Sequence, residues 1–96
     1  MNKYEIMFIV KATQESSDVK ATADAMQSII KDNKSKVAEF KELGEKKLAY
    51  PIKKEISGYY FVMQVEATHE AISEFNRKAL LDERVLRHLI IKLDEE

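Results

Sequence analysis

Cysteine is missing from this chain, proline occurs once, at Pro51, and glycine twice, at Gly44 and Gly58. The absence of cysteine excludes disulfides and cysteine-based metal centres and fits a reducing compartment. So little glycine and proline leaves no flexible linker or low-complexity tract, and no internal repeat is detectable. The 96 residues read as one domain, 1–96, large enough to withdraw roughly two-thirds of the unfolded chain's surface from water. Long apolar runs are missing too. None approaches the roughly 18 residues that span a bilayer, and the apolar run behind Met1-Asn2-Lys3 is too short and too early for a signal peptide. A cytoplasmic protein without membrane contact is expected. Neither sign of charge dominates: the net charge is -1, which removes the bulk electrostatic pull of most independent nucleic-acid binders, and only Asp94-Glu95-Glu96 reads as a solvated acidic tail.

The inventory for catalysis is equally thin. There is no Gly-x-Ser-x-Gly elbow and no phosphate-cradling glycine loop, and the two histidines, His69 and His88, fall on different predicted elements. A triad has nowhere to form, and metal ligation has no support at this spacing. A phosphate-ester or acyl-phosphate hydrolase would need a glycine-rich anion loop after the first strand, where this chain has Lys11-Ala12-Thr13-Gln14-Glu15. No enzymatic activity, cofactor, metal or small-molecule substrate is expected.

What is present is clear periodicity. From Lys3 to Lys11, Tyr4, Ile6, Phe8 and Val10 alternate with Glu5, Met7 and Ile9, which predicts a strand. Ser16 and Ser17 can cap a following helix that carries Val19, Ala23, Met26 and Ile30 on one stripe and ends near Asp32-Asn33. Lys36 to Leu43 alternates again, Val37, Glu39 and Lys41 against Ala38, Phe40 and Glu42, and Gly44 offers a bulge or bend before Leu48 to Ile52. Lys53 to Gly58 is predicted to turn, with Gly58 able to take positive φ, into a strand from Tyr59 to Ala67. Thr68 can cap a second helix with the stripe Ile72, Phe75, Ala79 and Leu80, and Val85 to Leu93 closes as a fourth strand. The order β-α-β-β-α-β implies two crossover units, hence an α+β, ferredoxin-like sandwich: a four-stranded antiparallel sheet with both helices on one face.

The wholly apolar set Ile6, Phe8 and Val10, joined by Phe61, Met63 and Val65, should face the helices. Met7, Ile9, Tyr60, Val62 and Ile90 then lie among polar residues on the opposite face, which is more apolar than an open sheet face needs to be in a monomer. A partner covering it is expected; cross-strand pairing on a partly exposed face is the competing reading.

One segment stands apart. Leu43 to Lys54 holds four lysines against one glutamate and places Tyr50 between Lys46-Lys47 and Lys53-Lys54. Basic pairs around an aromatic suit a phosphate backbone with an unstacked base, and equally suit an edge strand protected against aggregation. The wording Leu48-Ala49-Tyr50-Pro51-Ile52-x-Lys54, preceded by Gly44 and a basic pair, resembles the central signature of the bacterial family of small-subunit ribosomal protein six. Tyr4-Glu5, Gly58-Tyr59-Tyr60, Val65-Glu66 and Val85-Leu86-Arg87-His88-Leu89 agree with that family in order and spacing, so the resemblance covers almost the whole chain. Glu45, the Lys11-Ala12-Thr13 end of the first strand and the lack of a long C-terminal tail depart from it. The resemblance implies a structural role in the small ribosomal subunit: binding small-subunit ribosomal RNA in its central domain together with small-subunit protein eighteen. On that reading Lys46, Lys47, Tyr50, Lys53, Lys54, Arg87 and His88 are the candidate RNA contacts. Met7, Ile9, Tyr60, Val62 and Ile90 are the candidate partner contacts.

Two other readings share the fold. An RNA recognition motif stacks bases on its middle strands, but here Ser57, Tyr60 and Gln64 depart from its signature and the alternation buries Phe8, Tyr59 and Phe61, the rings it would need. A ferredoxin-like oligomeric sensor or interaction module would use the apolar sheet face instead.

Overall fold

The computed structural model describes residues 2–12, 16–52 and 54–93. Six elements follow in the expected order: β1 (Asn2–Lys11), α1 (Ser16–Asp32), β2 (Lys36–Ile52), β3 (Glu55–Ala67), α2 (His69–Leu81) and β4 (Val85–Leu93). They form one four-stranded antiparallel sheet of order β2-β3-β1-β4. No helix is long and apolar enough to cross a membrane.

The core lies on one side of that sheet. Ile6, Phe8 and Val10 of β1 and Phe61, Met63 and Val65 of β3 share a buried cluster with Val19, Ala23, Met26 and Ile30 of α1 and Ala71, Phe75 and Ala79 of α2. Both helices therefore cover the same face. At its centre Phe8 stacks on Phe61, with ring centroids 5.2 Å apart, and meets Phe75 of α2 at a tilt. Leu80, expected on the α2 stripe, is exposed; Ala71 takes the buried position instead.

Local chemistry sets the helix ends. α1 begins at Ser16, so Ser17, expected as a cap, lies inside its first turn, and the position before the helix falls outside the described residues. At the other end Lys34 takes φ 62°, its N–H bonds to the Lys31 carbonyl, and Ser35 N–H reaches back to the Ile30 carbonyl. That is a Schellman closure with lysine at the left-handed position usually held by glycine. Ser35 is buried, and its hydroxyl accepts from Thr68 N–H, tying the end of α1 to the start of α2. Thr68 itself caps α2 as expected, accepting from Ala71 N–H at 3.1 Å.

The strands depart from simple alternation at the sheet edges. β3 starts at Glu55 rather than Tyr59, because Ile52 pairs with Glu55 and Lys54 makes the turn at φ 70°. Gly58 is not at positive φ; its requirement is space, since a Cβ there would fall 2.4 Å from Ile9 Cγ2. Gly44 does take positive φ, 91°, beside a register shift between Glu42 and Gly44. Another shift, between Val37 and Glu39, turns both Val37 and Phe40 toward the core, where uninterrupted alternation would have separated them. Each extra residue in a bulge exchanges the faces of everything beyond it.

The core assignment has a direct test. Phe8 is fully buried, so Phe8→Ala should cost about 3–5 kcal/mol of stability, through lost transfer energy and an unfilled cavity. Denaturant unfolding measures it; a variant of wild-type stability would mean that Phe8 does not face the helices.

Candidate functional site

The face away from the helices carries a second, smaller apolar cluster. Ile9, Leu48 and Leu86 are its buried members, with Ile52 and Tyr60 packed against them. Three different strands meet there for two reasons, both bulges. In β2, Lys47 pairs with Ser57 and Ile52 with Glu55, so Leu48 to Pro51 stand opposite Ile56 alone. Freed from the ladder, this stretch arches over the open face, which is why Pro51, lacking an N–H, is tolerated within a strand. In β4, Val85 pairs with Val10 and Arg87 with Ile9, leaving Leu86 as the extra residue that turns into the cluster.

The arch reaches from one edge of the sheet to the other. Arg87 of β4 donates from Nη1 to the Tyr50 hydroxyl, and its guanidinium carbon stands 5.9 Å from the centre of the same ring. Beneath them lies a cleft of about 380 Å³ bordered by Met7, Ile9, Leu48, Tyr60 and Leu89, with Tyr50 and Arg87 at its mouth. From the β2 side Lys46 Nζ lies 5.8 Å from the Tyr60 ring centre. Among the described residues the ion pairs join Lys41 to Glu39, Arg77 and Lys78 to Glu74, and Arg84 to Asp82, so none engages Lys46, Lys47, Lys54 or Arg87. No group of three or more His, Asp or Glu among the described residues comes together to hold a metal.

The structure brings together some of the expected site residues and separates others. Met7, Ile9, Tyr60 and Val62 share the open face, as their pairing with each other and with β4 and β2 requires. Ile90 does not: it pairs with Ile6 and packs against the main core. Its neighbours Leu89 and Ile91 face outward instead, 50% and 47% exposed, and simple alternation missed them because the extra residue Leu86 exchanges the faces of β4. The same exchange moves His88 beneath α2, where Nε2 lies 2.7 Å from Asn76 Oδ1 and the ring meets Phe75 edge-on. The His88 ring therefore turns toward α2, while the residue still lines the cleft that Arg87 borders. Lys46 and Lys47 point to opposite sides of the hairpin, one paired with Gly58 and the next with Ser57. Lys54 is exposed in the turn, and Lys53 lies outside the described residues. Leu48 and Leu86 are the site residues that sequence reasoning overlooked; the signal available was the single Pro51 inside a strand, which marks a departure from the ladder.

Burial holds the His88 imidazole below its ordinary value of 6.5, so the folded state favours the neutral ring. The unfolded chain then binds more protons as pH falls from above 6.5. The stability that neutral His88 contributes is complete above pH 6.5 and is lost as pH falls through the lowered folded value. Unfolding midpoints measured from pH 7.5 to 5 should fall more steeply for the wild type than for His88→Gln; parallel curves would show that the ring titrates as it does in water.

Three comparisons bear on this geometry. The family model described as Ribosomal protein S6 matches residues 3–92. The chain is 40% identical over 92 residues to the small ribosomal subunit protein bS6 of Phytoplasma australiense, covering 96% of this chain and 99% of that protein. Among solved structures, the crystal structure of the 30S ribosomal protein S6 from Thermotoga maritima superposes with a TM-score of 0.90, covering 96% of this chain and 87% of that one. At 22% identity that likeness speaks for the shared fold.

Proposed function

Because the chain belongs to the bacterial ribosomal protein S6 family, whose members are structural constituents of the small ribosomal subunit and not enzymes, we propose that it binds small-subunit ribosomal RNA in the central domain as a pair with small-subunit protein eighteen. Membership places the chain on the cytoplasmic ribosome, in translation. In the proposed division of labour the open sheet face docks the partner protein, and lysines of the β2–β3 hairpin meet phosphate.

The observation that carries this reading is the asymmetry of the sheet. Helices bury the centre of one face, while Met7, Tyr60, Val62, Leu89 and Ile91 of the other remain partly or largely in water. A monomer gains nothing from that arrangement; a docked protein would withdraw the patch from solvent. Charge argues the same way. A chain of net charge -1 has little hold on RNA alone, whereas a basic partner on the apolar face would supply the missing attraction and leave the hairpin lysines to add to it. Lys47 and Lys54, without a carboxylate partner among the described residues, are the proposed phosphate contacts, with Lys53 next to Lys54 in sequence and Lys46 at the border of the docking face.

The RNA-recognition-motif reading loses its platform here. Phe8 and Phe61 are buried under the helices and Tyr59 packs against the same core, leaving Tyr60 as the one middle-strand ring on the open face.

Val62→Asp tests the docking. In the free chain the new carboxylate would stand directly opposite Lys41, so the domain should stay folded. In the complex it would be forced into an apolar interface, and association with protein eighteen should weaken by several kcal/mol. Calorimetric titration of the two proteins without RNA reads this step; undiminished affinity would move the docking surface elsewhere, to the β2 edge. For the RNA contacts, Lys47→Ala and Lys54→Ala should each flatten the slope of log affinity against log salt by about 0.7 to 0.9, measured with the partner present. Two unchanged slopes would make these lysines solvated edge protection.

A further inference from the structure

We propose that the cleft beneath Tyr50 is a built receptor on the docking face for one apolar side chain of the partner protein with a carboxylate beside it, the carboxylate being taken by Arg87, and that Tyr50 is the residue that positions Arg87. This rests on the docking reading above and deepens it.

The lining of the cleft is largely aliphatic: Ile9 and Leu48 are buried there, Met7, Ile52 and Leu89 border it, and Leu86 packs with Ile9 and Leu48 in the cluster behind it. A nucleobase placed against such a lining would leave its polar edges unpaired, which is costly away from water. A base stacking there would also have to compete with Arg87 at the Tyr50 ring and with Lys46 at the Tyr60 ring. An aliphatic or aromatic side chain meets neither penalty. The volume, about 380 Å³, holds one or two large side chains and not a helix or strand laid across the face.

The mouth has the opposite character. Arg87 from the β4 side and Lys46 from the β2 side both stand over tyrosine rings, and neither has a carboxylate within ion-pair distance among the described residues. Arg87, which lines the cleft, and Lys46, which stands by the Tyr60 ring at its border, would repel a basic partner unless it presents an acid at that point. Complementarity therefore calls for an Asp or Glu adjacent to the inserted side chain. Tyr50 bears on this through geometry. Its hydroxyl accepts from Nη1 and its ring faces the guanidinium, so Arg87 is held in one orientation before the partner arrives, which lowers the ordering cost of the new bond. The remaining guanidinium N–H groups are left to form the fork that a carboxylate matches.

The test is calorimetric titration of the full chain against protein eighteen, without RNA, at two salt concentrations. Arg87→Gln should weaken association by about tenfold or more and reduce its salt dependence, with Arg87→Lys recovering part of the loss. Tyr50→Phe, which keeps the ring and removes the acceptor, should weaken association by a smaller factor and have no further effect when added to Arg87→Gln. That coupling is the signature of a residue acting through another, and a purely structural role for Tyr50 would not produce it. If Tyr50→Phe is as damaging on the Arg87→Gln background as alone, Tyr50 does not position Arg87. If Arg87→Gln binds as tightly as wild type while Val62→Asp does not, the docking face stands and the carboxylate receptor is overturned. If protein association is unchanged by Arg87→Gln but RNA binding of the pair falls, the cleft serves RNA and the proposal is overturned. Unchanged association for both Arg87→Gln and Val62→Asp would remove the docking reading and this inference together.

Discussion

β1 and β3 pair from Asn2 opposite Ala67 to Lys11 opposite Gly58 without a register shift, and the rest of the molecule takes its phase from that pairing. Side chains directly opposite one another share a face, so a continuous central ladder divides the two strands into one set that meets the helices and one that does not. Phe8 against Phe61 and Ile6 against Met63 fall in the first set, Met7 against Val62 and Ile9 against Tyr60 in the second. The phenylalanine core and the partly exposed apolar patch are thereby placed on opposite sides of one sheet.

The edge strands behave differently. β2 has shifts at three places and β4 at one, and each shift changes which residues a face receives. An edge strand can accommodate this because it pairs on one side only; an extra residue in β1 or β3 would break ladders on both. The longest irregularity, Leu48 to Pro51, becomes a strap over the open face, and Leu86 rises from β4 to meet it. Ile9 sits between them, pressed against Gly58, where any Cβ would clash. The same distortions that spoil regular pairing build the cleft, aim Arg87 at Tyr50 and draw His88 under α2. They also protect the edge, since a bulged, lysine-bearing strand is a poor template for pairing with another chain.

Charge follows the same separation. The ion pairs of α2 and of Asp82 with Arg84 lie on the helical side or at its end, in water, and are of the kind that contributes little. Among the described residues, Lys46 and Arg87 have aromatic rings beside them and no ion pair joins Lys46, Lys47, Lys54 or Arg87 to a carboxylate. A nearly neutral chain can in this way present a locally basic surface.

Sequence pattern alone was enough for the element order, the helix stripe of α1, the Thr68 cap and the face division of β1 and β3, because all of these follow from periods of 3.6 and 2 acting within a single segment. The family was legible for a related reason: the signature around Tyr50 and the segments colinear with it are local words in the chain. The places where alternation misled, Ile90, His88 and the Val37–Phe40 pair, all depend on which residue of one strand pairs with which of another. A bulge costs a strand only one residue and leaves little mark on its own composition, so Val85 to Leu93 reads the same with or without Leu86 turned out. What decided those faces was the fixed register of the central pair together with the space available beside it: Gly58 admits Ile9, Ile9 draws in Leu48 and Leu86, and Tyr50 then reaches Arg87 across the sheet. Such contacts join residues 37 positions apart, and only the folded chain brings them together.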